Sequence, residues 1–249
     1  ATFILVNFLR NVGWSYDIPS YSYDISAAAV GRLLEIVKQV DPKIKFFQPV
    51  SSTMFGDVKE FPQNEKTPFA PQSPYACSKL MAFYLCKYYR EVYGMFVSTA
   101  IFYNHDSPRR SEEYLLHKIC ASAVRISRRL QKQLLIGSLD LPVDIGYARE
   151  YMEAAWKIMQ LDKPEDFIIS TGKSYLIKEL VDEAFNQVGL DPNGLVAIDP
   201  DFARPGKQIE LVGDISKAKE KIGFEAKIKY RELIKILIEH HLNSIEKKQ

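Results

Sequence analysis

Short apolar runs alternate along the chain with longer segments in which apolar residues recur every three or four positions. The short runs predict buried strands, and the longer segments predict amphipathic helices. Strands are predicted at residues 2–6, 43–50, 96–102, 133–136, 167–170 and 196–199. Helices are predicted at residues 7–11 (part of a first helix), 24–40, 75–93, 114–130, 147–160, 174–188, 214–222 and 230–245. This alternation predicts an α/β fold in which helices cover both faces of a parallel sheet.

Composition narrows the class of protein. The chain has 249 residues, 33 basic and 31 acidic, with a net charge of +2. Because basic and acidic residues are nearly equal in number, the charge gives no reason to expect nucleic acid or a membrane as a partner. There is no apolar run of membrane-spanning length and no secretory signal pattern. The three cysteines have no metal-ligand spacing, so we expect reduced thiols, no metal site and a cytoplasmic location.

Tyr75 and Lys79 are the first candidates for chemistry. In a helix, this spacing puts both side chains on one face, one turn apart. A free phenol has a pKa of about 10, and a nearby ammonium lowers it by stabilising the phenolate. Such a pair can move a proton to or from a hydroxyl while a hydride leaves or joins the same carbon. Among 14 tyrosines, however, a lysine at this spacing is expected by chance.

The surrounding sequence strengthens the prediction. A proline-bearing loop at residues 57–74 precedes Tyr75, and Ser51-Ser52-Thr53 stands at the end of a predicted strand before that loop. A hydroxyl at the strand end can bind the same substrate hydroxyl as the tyrosine does. Strand, hydroxyl, loop and helix therefore come in the order that this chemistry requires. We predict that Tyr75 and Lys79 are catalytic, with a hydroxyl of Ser51, Ser52 or Thr53 bound to the substrate.

Longer stretches resemble the extended short-chain dehydrogenase/reductase family, and most closely its GDP-mannose 4,6-dehydratase branch. The resemblance runs over nearly the whole chain from about residue 12. The N-H-D-S-P-R-R stretch is far more specific than Y-x-x-x-K, which all short-chain dehydrogenases share. The matching stretches are FFQPVSSTMFG (46–56), PFAPQSPYACSK (68–79), YYREVYGM (88–95), FYNHDSPRR (102–110), residues 137–151 and RPGKQIELVGDISKAK (204–219).

The resemblance implies a Rossmann-type, doubly wound parallel sheet with a smaller C-terminal α/β substrate domain. Residues 1–103 would form the dinucleotide-binding domain. Residues 104–249 would mainly bind the nucleotide sugar, with some segments returning to the Rossmann domain. The implied cofactor is NADP or NAD, and the implied substrate is a nucleotide sugar, GDP-linked by preference. A homodimer or homotetramer is implied, pairing through two helices that include the tyrosine–lysine helix.

The same resemblance assigns binding residues. Paired arginines suit a diphosphate because each guanidinium presents a planar fork of donors, although the residues alone favour a solvated turn. By resemblance, Asn104 and Arg109 or Arg110 would contact the nucleotide sugar. His105 would lie near the nicotinamide cofactor.

Two further cations are implied in substrate binding. Arg204, in an Arg-Pro-Gly loop, would reach the phosphates, and Lys118 has a similar but weaker assignment. The resemblance also implies that Ser51, Tyr75 and Lys79 are catalytic. Tyr75 and Lys79 would contact the cofactor as well, Lys79 at the nicotinamide ribose.

Departures from the family pattern put the exact reaction in doubt. The family places a glutamate after the Ser/Thr-Ser pair, where it removes the sugar C5 proton so that water can leave. Thr53 occupies that position, and a neutral hydroxyl cannot serve as that base. Val143 and Ser138 replace an arginine and an asparagine near the nucleotide, which weakens the expectation of guanine. A 4-epimerase, a 4-keto-6-deoxy reductase and a non-catalytic nucleotide-sugar-binding relative therefore stay open as alternatives.

The start of the chain departs as well. A Rossmann domain needs a G-x-x-G-x-x-G turn after its first strand, so that backbone N–H groups can approach the pyrophosphate. The sequence holds no such turn, and residues 12–19 resemble a segment that normally comes several strands later. Either the protein lacks these parts, which would severely weaken cofactor binding, or the sequence shows only ordered residues and the glycine loop was mobile. We favour the second explanation.

Overall fold

The computed structural model describes residues 2–4, 12–202 and 210–246. Its strands in chain order are β1 (Thr2–Ile4), β2 (Lys45–Ser51), β3 (Val97–Phe102), β4 (Asn104–Asp106), β5 (Leu134–Ile136), β6 (Pro142–Val143), β7 (Ile145–Tyr147), β8 (Asp166–Ile169), β9 (Tyr175–Leu176) and β10 (Val196–Ile198). Its α-helices are α1 (Trp14–Asp17), α2 (Pro19–Tyr23), α3 (Ala29–Val40), α4 (Pro74–Tyr93), α5 (Leu115–Ser127), α6 (Ala148–Gln160), α7 (Ile177–Gln187), α8 (Ser216–Ile222) and α9 (Tyr230–Glu246). A π-helical turn (Asp24–Ala28) joins α2 to α3, and single 3₁₀ turns occupy Ser52–Met54 and Pro200–Phe202.

The chain divides into two compact units. The first contains residues 1–103, 151–172 and 211–225, and the second contains residues 104–150, 173–210 and 226–249. The first unit is built on a parallel sheet with strand order β1-β2-β3-β8. The alternating strands and helices of the prediction therefore form the expected parallel α/β sheet.

Neighbouring residues of β2 face opposite sides of this sheet, as the two-residue period of a strand requires. Phe46 packs with residues of α3 and α4, among them Leu34 and Cys86. Phe47 points to the other side, where its ring lies 6.2 Å from that of Phe102, which in turn contacts Tyr151 of α6. Helices therefore cover both faces of the sheet.

Two side chains from outside the sheet bind the backbone of β8, the last strand of the described sheet. The Glu65 carboxylate accepts a hydrogen bond from Ile168 N at 2.9 Å. The Lys217 ammonium donates to Asp166 O at 2.8 Å. Burial raises the pKa of Glu65, partly offset by its bond from Ile168. Two backbone groups that a fifth strand could use, Ile168 N and Asp166 O, are therefore already bonded.

A partly buried ion pair joins α4 to the same strand. Arg90 donates to both carboxylate oxygens of Asp166, at 2.7 and 2.5 Å, and also to Val97 O at 3.0 Å. The hydroxyl of Thr99 donates to Asp166 at 2.7 Å. Because both charges are paired and hydrogen-bonded, the pair holds α4 against β3 and β8 without leaving a buried charge uncompensated.

The second unit packs α5, α7 and α9 around one apolar cluster that includes Leu116, Leu180, Phe185 and Leu237. Three two-stranded pairs complete it: β10 with β5, β4 with β7, and β6 with β9. The first two pairs are parallel and the third is antiparallel.

The structure corrects three predicted elements. Asn104–Asp106, which lies outside every predicted strand and helix, is a strand that pairs with Ile145–Tyr147. The helix predicted from residue 174 begins at Ile177, because Tyr175–Leu176 pairs with Pro142–Val143. The helix predicted from residue 24 continues a helical run that starts at Pro19. Residues 5–11, which hold the end of the predicted first strand and the predicted first helix, lie outside the described residues.

Candidate active site

Local sequence fixes where α4 begins and therefore where Tyr75 stands. The Ser73 hydroxyl accepts a hydrogen bond from Ala76 N at 3.1 Å, and Pro74 occupies the first helical position. Both features are typical of a helix N-terminus. The helix ends at Gly94, whose φ of 66° is the left-handed conformation common at helix C-termini. Tyr75 thus lies in the first turn and Lys79 in the second.

Tyr75 and Lys79 form a buried pair. Tyr75 is 9% exposed and Lys79 is 4% exposed. The Lys79 Nζ atom lies 5.5 Å from the centroid of the Tyr75 ring. It donates to Pro49 O, on β2, at 3.3 Å. The ammonium is therefore held between the tyrosine ring and the strand that ends at Ser51.

Ser51 is the last residue of β2, and its hydroxyl is already organised by the turn that follows. Its Oγ accepts hydrogen bonds from Thr53 N at 3.3 Å and from Thr53 Oγ1 at 3.0 Å. Ser52 is buried. The structure therefore places Tyr75, Lys79 and the strand end that carries Ser51 in one region of the first unit. Thr53 uses its hydroxyl as a donor to Ser51.

Gly56 lets the next loop close against this turn. Its φ of +54° is in the left-handed region, and a Cβ atom there would lie 1.7 Å from Ala70 O. Asp57 N donates to Ala70 O at 3.2 Å, and Ala70 N donates to Met54 O and Phe55 O, each at 3.1 Å. Only glycine permits so close an approach. The loop of residues 57–73 is in this way tied to the turn that carries Thr53.

Sequence reasoning missed Gln48. Its side chain is fully buried, and its Nε2 donates to Pro49 O at 2.8 Å, the carbonyl that also accepts from Lys79. Its Oε1 is buried without a protein hydrogen-bond partner. A buried polar residue in a predicted strand is the signal that could have found it.

In the second unit, the N-H-D-S-P-R-R stretch starts on β4 and continues into a turn. Asn104 Nδ2 donates to Asp144 O at 3.3 Å. His105 is half-buried. Asp106 is buried, and burial raises the pKa of its carboxyl, although Arg110 and His117 oppose the rise.

The two arginines of this stretch differ. Arg109 is exposed. Arg110 is half-buried, its guanidinium lies 3.8 Å from the centre of the Tyr114 ring, and its Nη1 donates to His105 O. Its Nε is buried without a protein hydrogen-bond partner. A guanidinium N–H without a protein partner is suited to bind an anionic ligand.

Lys118 lies on α5, on the side where the 3₁₀ turn of Pro200–Phe202 packs. Its Nζ is 3.1 Å from the centre of the Phe202 ring. Burial lowers its pKa, and the nearby charge of Asp199 opposes that shift. Arg204 lies outside the described residues. Sequence reasoning missed both aromatic rings, Tyr114 and Phe202, because a contact between a cation and a ring has no recognisable sequence motif.

No group of three or more His, Cys, Asp or Glu side chains among the described residues could hold a metal ion. None of the described helices is long and apolar enough to cross a bilayer.

A parallel sheet covered on both faces, with a serine at a strand end and a buried Tyr-x-x-x-Lys pair on the next helix, is typical of the short-chain dehydrogenase/reductase class. The fold is shared with RMD from Pseudomonas aeruginosa complexed with NADPH (TM-score 0.88, 20% identity, 97% of this chain and 81% of that chain). It is also shared with UDP-glucose 4-epimerase of Thermotoga maritima with UDP-glucose (TM-score 0.87, 22% identity, 98% of this chain and 78% of that chain). These likenesses confirm the predicted Rossmann-type fold.

The family follows from sequence comparison. The family profile described as GDP-mannose 4,6 dehydratase matches residues 9–237. GDP-mannose 4,6 dehydratase 1 of Arabidopsis thaliana is 40% identical over 236 residues, which are 93% of this chain and 65% of that protein. GDP-mannose 4,6-dehydratase of Vibrio cholerae is 35% identical over 252 residues, which are 90% of this chain and 68% of that protein. The chain belongs to the GDP-mannose 4,6-dehydratase family, and it spans 65% of the length of the Arabidopsis relative.

Proposed function

We propose that the protein is an NAD(P)-dependent nucleotide-sugar enzyme of the GDP-mannose 4,6-dehydratase type, which transfers a hydride at C4 of the sugar. The observation that carries the proposal is the buried Tyr75–Lys79 pair beside the end of β2. A buried ammonium 5.5 Å from a phenol ring favours the phenolate that general base catalysis needs. Two curated relatives with this reaction in their names cover most of the chain.

The described residues fit the nicotinamide end of a dinucleotide. Parallel strands bind such ligands at their carboxyl ends, which is where Ser51 and the Lys79 ammonium lie. The Oε1 atom of Gln48, which has no protein partner, can accept a hydrogen bond from the ligand, and the Lys79 ammonium can donate one. When bound, the nicotinamide group would accept a hydride from the sugar and return it. We propose that Lys79 holds the ribose and that His105 lies near the nicotinamide.

The chain's own residues would move the proton. Tyr75, as phenolate, takes the proton of the C4 hydroxyl while the hydride leaves C4. Lys79 stabilises the phenolate charge, and Ser51 hydrogen-bonds the same hydroxyl. The Ser51 oxygen already accepts from Thr53, which leaves its own O–H to donate toward the substrate oxygen. Residues 1–103 would thus carry the dinucleotide and the chemistry.

We propose that residues 104–249 mainly hold the nucleotide sugar, with a GDP-linked sugar preferred. Asn104, Arg109 and Arg110 would bind it, supported by the exposed Arg109 and the unpartnered Nε of Arg110. Ser52, Thr53, Lys118 and Arg204 complete the proposed contacts. The assignment of Lys118 is supported by its partial burial, which lowers its pKa. A bound phosphate would raise that pKa again by stabilising the ammonium.

Thr53 favours a second candidate, a 4-epimerase or a 4-keto-6-deoxy reductase. Both need only the hydride step, whereas dehydration also needs a base for the C5 proton. Thr53 has no carboxylate, and its hydroxyl is engaged as a donor to Ser51. A non-catalytic nucleotide-sugar-binding relative is a further candidate, supported by the threonine that stands in place of the glutamate.

The deciding experiment incubates the protein with NADP or NAD and GDP-mannose and measures product mass. Loss of one water identifies a dehydratase in spite of Thr53. Hydride transfer to a supplied 4-keto-6-deoxy GDP-sugar, without water loss from GDP-mannose, identifies a reductase. Neither activity, together with no bound dinucleotide, leaves the non-catalytic relative.

Variants then test the assigned residues. Tyr75→Phe and Lys79→Met should each lower the rate by about 10²- to 10⁴-fold, the range typical of a lost general acid–base group. Tyr93→Phe is the matched control, because it removes a phenol hydroxyl at the far end of the same helix. If dehydration is absent, Thr53→Glu should create it and Thr53→Gln should not. Equal rates for Tyr75→Phe and Tyr93→Phe would reject the assignment.

We also propose a homodimer or homotetramer that pairs through α4. Met81, Tyr84 and Tyr88 are each about half exposed on this helix, which is unusual for large apolar side chains. Tyr84→Glu should then lower the mass measured by light scattering, and an unchanged mass would contradict this pairing. We propose a cytoplasmic location, supported by three free cysteines.

A further inference from the structure

Three histidines of the second unit contact one another beneath the N-H-D-S-P-R-R turn. The ring centre of His117, on α5, lies 5.2 Å from that of His241 and 6.4 Å from that of His240, both on α9. His117 is 1% exposed and His241 is 6% exposed. None of the three belongs to the proposed chemistry. We call them the histidine cluster.

His117 makes the connection between this cluster and the turn. Its Nε2 lies 2.6 Å from Ser107 O. A carbonyl oxygen only accepts, so Nε2 must carry the hydrogen. The other ring nitrogen, Nδ1, is buried without a protein hydrogen-bond partner. In the neutral ring, the contact to Ser107 therefore places the hydrogen on Nε2 and not on Nδ1.

The turn that His117 holds is the one that presents the two arginines. Ser107 N donates to the buried carboxylate of Asp106 at 2.8 Å, and Arg110 N donates to Ser107 O at 2.9 Å. Asp106 Oδ1 also lies 3.5 Å from His117 Nε2. Ser107 O thus receives two donors, one from the backbone of Arg110 and one from the His117 ring. Without the His117 donor, Ser107 O would keep only its bond from Arg110 N, and the turn would be held less firmly.

We propose that His117 is a positioning residue for phosphate binding, which acts by holding Ser107 O through its Nε2–H and so fixes Arg109 and Arg110. The ligand in this inference rests on the proposed nucleotide-sugar function, whereas the hydrogen bond between His117 and Ser107 O is independent of that function. His117 touches no substrate in this proposal. Its effect on binding passes through the turn.

The experiment compares His117→Gln with His117→Asn in the full chain. A glutamine amide nitrogen can take the place of Nε2, whereas the shorter asparagine amide reaches only the place of Nδ1. GDP binding is measured by calorimetry. His117→Gln should bind within about twofold of the unaltered protein, and His117→Asn should bind about tenfold more weakly, the effect of one lost hydrogen bond. His240→Gln is the control within the same cluster and should not change binding.

A second readout needs no ligand. Nitrogen-15 spectra of the His117 ring should show the hydrogen on Nε2, and amide exchange at Ser107–Arg110 should quicken in His117→Asn but not in His117→Gln. A hydrogen on Nδ1, equal binding and exchange in the two variants, or loss in His240→Gln would overturn the proposal. If the unaltered protein does not bind GDP, the nucleotide function fails, while the ring spectrum and amide exchange still decide the role of His117.

Discussion

Replacing Gly56 by alanine tests whether the close approach of Ala70 holds the turn after Ser51 in place. Two costs add at this position. The φ of +54° places a non-glycine residue in the left-handed region, which costs about 1–2 kcal/mol. The new Cβ would also lie 1.7 Å from Ala70 O, so the two backbones must separate.

Separation breaks the hydrogen bonds that join the two segments. Asp57 N and Ala70 N make them at 3.1–3.2 Å, and each contributes about 0.5–1.5 kcal/mol to stability. We therefore expect Gly56→Ala to lower the free energy of unfolding by about 3–4 kcal/mol.

Gly94→Ala is the matched control. Gly94 has a similar φ of +66°, but a Cβ there meets nothing within 4 Å. It should cost only about 1 kcal/mol, since the conformational penalty stands alone and is partly offset in the unfolded chain. Urea unfolding followed by circular dichroism measures both variants. Equal losses in the two variants would refute the reasoning, because the close approach would then contribute nothing.

Three further predictions concern stability, each measured by urea unfolding. Asp166→Ala should cost about 2–3 kcal/mol, because it removes the ion-pair partner of the partly buried Arg90. Glu165→Ala removes a more exposed partner of Lys217 and should cost about 1 kcal/mol or less, and similar losses in the two variants would contradict this reasoning. Burial, and after it the charge of His117, lowers the pKa of His241 to about 4, so the folded state favours the neutral ring. The free energy of unfolding should therefore fall as the pH decreases from about 6.5 towards 4. His241→Gln should make this pH dependence less steep, and an unchanged slope would reject the assignment to His241. Arg129 has a φ of 59° at the end of α5, so Arg129→Gly should stabilise by about 0.5–1 kcal/mol, whereas Arg128→Gly, at a φ of −94°, should not.

The sequence predicted those parts of the fold that depend on local pattern. The helix at 75–93 and the strand at 96–102 were confirmed to within a residue, because their apolar spacing and the flanking Pro74 and Gly94 act over a few positions. The Ser51 strand end was confirmed for the same reason. The family resemblance was confirmed, because motifs such as N-H-D-S-P-R-R are specific over many residues.

Pairing between distant segments escaped prediction. Asn104–Asp106 contains no β-branched or apolar residue, and it forms a strand because Ile145–Tyr147 offers a partner some forty positions away. The short pairing of β6 with β9 likewise moved the start of α7. The surroundings of Gln48 depend on similar long-range packing, because Lys79 reaches the same Pro49 carbonyl from thirty positions away. The roles of the individual site residues stay predictions.

The backbone bonds that Glu65 and Lys217 make to β8 bear on aggregation. An apolar strand such as Asp166–Ile169 at the border of a sheet is a template on which another chain can pair. Here both blocking groups are charged and come from outside the sheet. Protection against strand-by-strand association therefore resides in a loop and a helix, not in the strand that needs it. Changes at Glu65 or Lys217 would lower the yield of dispersed protein while leaving every core side chain intact.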